Sequence, residues 1–145
     1  FHDRDVEWVV RAVHECGLDV VQLHGDERPA FVEHVRKYAA VIKSFKIRPG
    51  FDFSVLDEYD AADHFLFDTY KEGQPGGTGL VFDWKILKGS PINKPFFLAG
   101  GLNPMNVRSA ICEVSPFCVD VASGIEISPG VKDHKLMKEF IYAAR

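Results

Sequence analysis

An apolar run, Phe65-Leu66-Phe67, ends on a carboxylate, Asp68, and opens at once into a stretch punctuated by Gly73, Pro75, Gly76, Gly77 and Gly79. The run is too short for a helix, and the glycines forbid regular structure after it, so Asp68 is placed at the end of a buried strand beside a loop. A carboxyl group at such a border can be held partly desolvated and donate a proton near neutral pH. The plainer role for an aspartate there is to cap a turn with its side chain.

Two further glycine turns carry a different chemistry. In LAGGLNPMNV, Gly100 and Gly101 separate an apolar run from a predicted helix, and in VASGIEISPGVKD, Ser123 and Gly124 do the same one element later. Backbone N–H groups without side chains around them can approach an anion closely, and a helix N-terminus favours negative charge. Recurrence after successive strands points to a phosphate cradle, although each turn alone would serve as simple backbone geometry.

These residues need elements to hold them. Helical spacing of Val6, Val9, Val10 and Val13 predicts a helix over residues 5–16 with Gly17 as its stop, and LDVVQLHG predicts a strand that ends at Gln22, His24 and Gly25. A helix over 28–38, a strand over 40–47 ending in Lys43 and Lys46, a short helix over 53–59 and a strand over 64–67 follow. Beyond the glycine loop come a helical segment over 81–87, a strand over 95–99, and a helix over 104–114 with Asn103 as N-cap and Pro104 in the first position. A strand over 117–122 and an amphipathic helix over 133–144 complete the order. Strict alternation with long connections implies parallel strands and right-handed crossovers, hence an α/β fold. Polar or glycine residues end every strand and no GxGxxG follows the first, which favours a (β/α)₈ barrel over a dinucleotide-binding sheet.

Composition narrows the partners. The 145 residues are 46% hydrophobic with a net charge of −4, and the basic residues form no run or stripe, which argues against nucleic acid or an anionic membrane surface. No apolar stretch approaches the roughly 20 residues of a membrane span, and no signal layout opens the chain. The three cysteines, Cys16, Cys112 and Cys118, lack metal-ligand spacing and fit a reduced, cytoplasmic protein in which each is a small core residue.

Taken in order, VVQLHGDE, FDTYKEGQPGGTG with FDW, FLAGGLNPMNV, and VDVASGIE with PGVKD resemble the second part of the phosphoribosylanthranilate isomerase family of tryptophan biosynthesis. The resemblance covers essentially the whole chain. It implies a single domain, 1–145, holding strands four to eight of a TIM barrel: an incomplete barrel of about five parallel strands, with strands one to three absent. It further implies an Amadori rearrangement of N-(5′-phosphoribosyl)anthranilate without metal or organic cofactor. Asp68 would be the general acid that protonates the ribose ring oxygen. Gly100, Gly101, Ser123 and Gly124 would hold the substrate phosphate. Gln22 and His24 would line the site, and Gly76, Gly77, Thr78 and Gly79 would fold over it.

The family's general base is a cysteine in a KICG-like stretch on the first strand, and no such stretch is present in these residues. Leu80, Val81 and Ala122 also depart from the family pattern. The isolated chain is therefore expected to be inactive, to expose the strands over 20–23 and 117–122 as open edges, and to self-associate or be complemented by the N-terminal half. Two other readings remain. His24 and Gln22 with Asp26 or Asp68 could ligate a metal, as in a pentose-phosphate epimerase, but no second histidine ends another strand, so His24 is read as a lining residue. Alternatively the chain binds phosphate without catalysis.

Overall fold

The computed structural model describes residues 1–69 and 84–145. The proposed lid residues Gly76, Gly77, Thr78 and Gly79, together with Leu80 and Val81, lie outside these described residues. Two units can be distinguished: Phe1–Phe45 with Asp52–Leu66 and Pro91–Phe96, and Lys46–Phe51 with Phe67–Ser90 and Phe97–Arg145.

The first unit opens with helix α1, Val6–Cys16, which buries Val9 and Val13. Gly17 ends it in the left-handed conformation, its N–H donating to the Val13 carbonyl, as a C-terminal glycine does. Strand β1 is Val20–Leu23 and helix α2 is Pro29–Val35. The predicted helix over 28–38 is thus shorter. After Val35 the bonds tighten to i→i−3, with Lys37 N–H on His34 and Tyr38 N–H on Val35, and the chain leaves α geometry. Strand β2, Ala40–Ile47, runs parallel to β1, with Val21 beside Val41 and Leu23 beside Lys43. A 3₁₀ segment, Phe53–Tyr59, is held at its start by the Asp52 side chain on the Ser54 N–H and leads to strand β3, His64–Thr69, whose residues from Phe67 onward belong to the second unit.

The second unit carries a 3₁₀ turn at Trp84–Leu87, where a helix over 81–87 is predicted. Strand β4 is Phe96–Leu98, helix α3 is Val107–Val114, and strand β5 is Cys118–Val119. The 3₁₀ turn Ser123–Ile125 leads into a hairpin of β6, Glu126–Ser128, and β7, Val131–Lys132, which the alternating pattern does not reveal. Helix α4, His134–Ala143, follows, capped by Asp133 accepting from the N–H groups of Lys135 and Leu136.

Strands β1 to β5 form one sheet in the order β1-β2-β3-β4-β5. Parallel pairing of β4 with β5, and donation from Phe65 to Pro95 and from Ala99 to Phe67, continue the crossover pattern. The fold is α/β, five parallel strands with intervening helices, as the alternation predicts. Phe65, Leu66 and Phe67 are fully buried, each worth about 1.5–3 kcal/mol relative to exposure. Among the described strands β1 and β5 are the outer two: Val20 at the start of β1 is 50% exposed and Phe117, just before β5, is 67% exposed, while the end of β1 carries the main chain of Phe1. Strand β5 keeps two residues, Cys118–Val119, of the predicted 117–122. The cysteines are not core residues. Cys16 and Cys112 lie on exposed helix faces and Cys118 is exposed on the outer strand β5.

Within the first unit, β2 carries a charge where an aliphatic residue would be expected. Lys43 and Glu27 are 3% and 2% exposed and meet at 2.9 Å. The Lys43 ammonium also donates to the Gly25 carbonyl at 2.6 Å, while Glu27 Oε1 accepts from the N–H groups of Gly25 and Asp3. Phe45 and Tyr59 flank the cation, and the Tyr59 hydroxyl donates to the Glu27 carbonyl at 3.1 Å. Burial opposes the charged form of Glu27. The bond from Lys43 and its charge, with backbone N–H groups, outweigh this and lower the pKa from 4.5. That stabilisation is complete above the unfolded carboxyl value and is lost as pH falls through the lower folded one. Lys43→Met should cost about 3–5 kcal/mol in urea unfolding near neutrality. A Glu27→Gln, Lys43→Met double variant should lose less than the sum and show a flatter stability profile in acid.

Candidate functional site

Asp68 lies one residue inside the end of β3 rather than beyond it, so the pleat, not a loop, directs its side chain. It is half-buried, after three fully buried neighbours. The bond from Ala99 N–H to the Phe67 carbonyl sets Phe67 beside Leu98 in the parallel ladder, and so brings Asp68 level with Ala99. Leu98 pairs in turn with Val119, and Asp120 N–H donates to the Leu98 carbonyl at 2.8 Å. Within this unit the carboxylate and the starts of both glycine turns therefore share the C-terminal end of adjacent parallel strands.

Each turn is shaped by backbone constraints. Gly100 and Gly101 have φ values of 81° and 69°, consecutive left-handed positions that a side chain would strain. The Gly101 carbonyl accepts from Asn106 Nδ2 at 3.0 Å. Asn106 Oδ1 accepts from Asn103 N–H at 2.8 Å, and Asn103 Oδ1 accepts from Met105 N–H at 2.9 Å. Because Asn103 closes this turn, α3 starts at Val107 with Asn106 in the N-cap position, three residues later than the Asn103-Pro104 signal predicts. Asn106 is a participant that no sequence motif above singles out, and its spacing three residues after Asn103 is the available signal.

Gly124 answers a different demand. A Cβ there would collide with the Leu102 carbonyl oxygen, so the second turn packs directly on the backbone of the first. Ser123 is exposed beside it. The hairpin braces this turn: Lys132 Nζ donates to the Ala122 carbonyl at 2.8 Å and to Glu126 Oε1 at 2.7 Å, and Asp133 N–H donates to the Ile125 carbonyl. The Lys132 bond lowers the Glu126 pKa, with help from a Gly130 N–H. Gly100, Gly101, Ser123 and Gly124 thus form two backbone turns in mutual contact, a geometry suited to an anion.

In the first unit, Gln22 and His24 project from one face of β1 and its extension, with Gln22 Nε2 3.0 Å from His24 Nδ1. Main-chain bonds run from the Phe1 amino group to the Gln22 carbonyl and from His24 N–H to the Phe1 carbonyl. The Gly25 turn after His24 is the one clamped by Lys43 and Glu27, and a Cβ at Gly25 would collide with the Asp3 carboxylate. Lys43 is a mid-strand anchor rather than a strand-end ligand, and Lys46 is exposed. Among the described residues, no three His, Cys, Asp or Glu side chains converge as metal ligands would.

The family model described as PRAI, N-(5'phosphoribosyl)anthranilate (PRA) isomerase, matches residues 1–143. The N-(5'-phosphoribosyl)anthranilate isomerase of Geobacter sp. (strain M21) is 40% identical over the whole chain, which spans 70% of that relative. The Azotobacter vinelandii enzyme of the same name is 48% identical over 134 residues, 90% of this chain and 63% of the relative. Among solved structures, phosphoribosyl anthranilate isomerase from Thermotoga maritima superposes with a TM-score of 0.88 at 38% identity, covering 99% of this chain and 70% of that one. A phosphoribosyl anthranilate isomerase in complex with reduced 1-(o-carboxyphenylamino)-1-deoxyribulose 5-phosphate gives 0.85 at 34% identity, covering 99% and 68%. The match of the family model over residues 1–143, together with the superposition on solved relatives, places this chain in the N-(5'-phosphoribosyl)anthranilate isomerase family.

Proposed function

We propose that Asp68 is the general acid of N-(5'-phosphoribosyl)anthranilate isomerisation, the family's step in tryptophan biosynthesis, and that the paired glycine turns hold the substrate's 5′-phosphate. The observation that supports this most is the common level of Asp68 with the starts of both turns at one end of β3, β4 and β5. A sugar phosphate anchored by Gly100, Gly101, Ser123 and Gly124 presents its ring oxygen toward a strand end, where a half-buried carboxyl can protonate it. Ring opening gives a protonated imine. A base then removes the proton from the adjacent sugar carbon, and the resulting enolamine tautomerises to the amino ketone. Gln22 and His24 line the substrate site in this reading, and Gly76, Gly77, Thr78 and Gly79 close over it. No step calls for a metal or organic cofactor.

The base is not assigned to this chain. Its three cysteines are exposed on α1, on α3 and at the β5 edge. The chain spans about 70% of the Geobacter relative, and the relatives' remaining length is the proposed source of the base and of strands beside β1 and β5. The bonds between Phe1 and the Gln22–His24 segment, alternating as in a parallel ladder, support a strand on that side of β1. In this reading residues 1–145 are one domain's share of a barrel. No helix among the described residues is long and apolar enough to cross a membrane, and a cytoplasmic location suits both the thiols and a soluble biosynthetic substrate.

Three measurements test the proposal. In an enzyme reconstituted from this chain and a relative's remaining strands, Asp68→Asn should lower kcat by about 10²–10⁴ while leaving the melting curve unchanged. An undiminished rate removes Asp68 from the acid role. Gly124→Ala should weaken competitive inhibition by inorganic phosphate more than it lowers kcat, since it pushes the second turn off Leu102. Sedimentation of the isolated chain should show association that grows with concentration through the open edges and is relieved by the complementing strands. A concentration-independent monomer contradicts it.

A further inference from the structure

The second phosphate turn is short, and little of its own length holds it. Strand β5 ends at Val119, and the Ala122–Ile125 segment is reached through exposed residues with Ala122 at φ −116°, ψ −83°, outside the regular regions. Its geometry is set from two sides. On one, Gly124 rests on the Leu102 carbonyl, so any drift alters its fit to the Gly100-Gly101 turn. On the other stands the hairpin, whose side chain Lys132 reaches back across it to the Ala122 carbonyl at 2.8 Å while meeting Glu126 at 2.7 Å. The adjacent Asp133 N–H holds the Ile125 carbonyl, and the Asp133 carboxylate caps α4. One ammonium thus ties the first carbonyl of the turn to a position just past its last residue, in a hairpin anchored by a capped helix.

We propose that Lys132 is a positioning residue for the phosphate site: it fixes the Ala122–Ser123 peptide, and hence the turn's N–H groups, without itself touching the phosphate. The inference rests on the phosphate reading above. Its ammonium is already shared between a carbonyl and a carboxylate, so it acts by geometry more than by net charge. At 39% exposure it can be replaced without opening the core. The Glu126 carboxylate supplies the complementary prediction, because removing that charge should loosen the brace even though it leaves the site less negative.

The test titrates inorganic phosphate into the enzyme reconstituted from this chain, or its variants, and a relative's remaining strands, following amide resonances of Gly101, Ser123 and Gly124, with thermal melts alongside. Lys132→Met should weaken phosphate binding by about ten-fold, Lys132→Arg should retain it within about three-fold, and Glu126→Gln should weaken it as well. Anthranilate, which carries no phosphate, should bind all of them alike. Unchanged phosphate affinity in Lys132→Met overturns the inference while leaving the phosphate site standing. Tighter binding in Glu126→Gln also overturns it, since that is the signature of direct charge attraction. Failure of the unsubstituted reconstituted enzyme to bind phosphate at those amides overturns the site itself, and the positioning role with it.

Discussion

A lysine ammonium placed in the middle of an apolar strand must find acceptors, and in this chain that requirement organises the ground beneath one strand end. Lys43 lies on the face of β2 shared with Val41 and Phe45, and its acceptors are the Gly25 carbonyl and the Glu27 carboxylate. Glu27 then has a second oxygen to satisfy, which it does with the N–H groups of Gly25 and Asp3. The β1–α2 turn is closed from both its N–H and its C=O. A buried pair of this kind is poor evidence for net stability, because desolvation offsets much of the attraction. What it does set is the local path, since both the N–H and the C=O of Gly25 are bonded to the pair. His24 and Gln22, immediately before the turn, inherit that definition.

The second unit meets the same need with backbone. Its two glycine turns are held by contact between Gly124 and the Leu102 carbonyl, by the Asn103–Asn106 network around the Gly101 carbonyl, and by Lys132 on the Ala122 carbonyl. Side chains here serve mainly as fixtures for main-chain groups. Turns fixed in this way present main-chain N–H groups, which are natural donors to an anion. Asp68 stands apart from this pattern as a carboxylate on a strand and not on a turn, where its direction is set by the pleat that puts it on the same face as the buried Leu66.

Much of this was legible in the residues. The valines of α1 and the glycine after Cys16 announce a helix with its end, because periodicity and caps are local signals, while Asp133, read as the first residue of the last helix, is its N-cap. The strands were legible as runs, and Asp68 and the paired glycines as their endings. What escaped depends on contacts distant in sequence. Glu27 reads as one acid in a GDE turn, and only the fold shows Lys43, sixteen positions on, as its partner. The late start of α3 reflects competition between a proline-first helix and an asparagine turn, which local preference cannot decide. The small apolar character of the cysteines suggests the core, yet helical phase and a place on the outer strand β5 expose them. The hairpin over 126–132 is too short to show alternation, and its role came into view with Lys132.

The central claim is that one end of β3, β4 and β5 receives the sugar phosphate, with its phosphate on the glycine turns and its sugar at Asp68. A crystal structure of the chain, complemented by a relative's remaining strands and soaked with reduced 1-(o-carboxyphenylamino)-1-deoxyribulose 5-phosphate, tests it most directly. The account predicts phosphate oxygens within hydrogen-bond reach of the Gly101, Ser123 and Gly124 N–H groups and the Asp68 carboxyl against a sugar oxygen. A ligand whose phosphate lies away from both turns, or whose sugar is out of reach of Asp68, would contradict it.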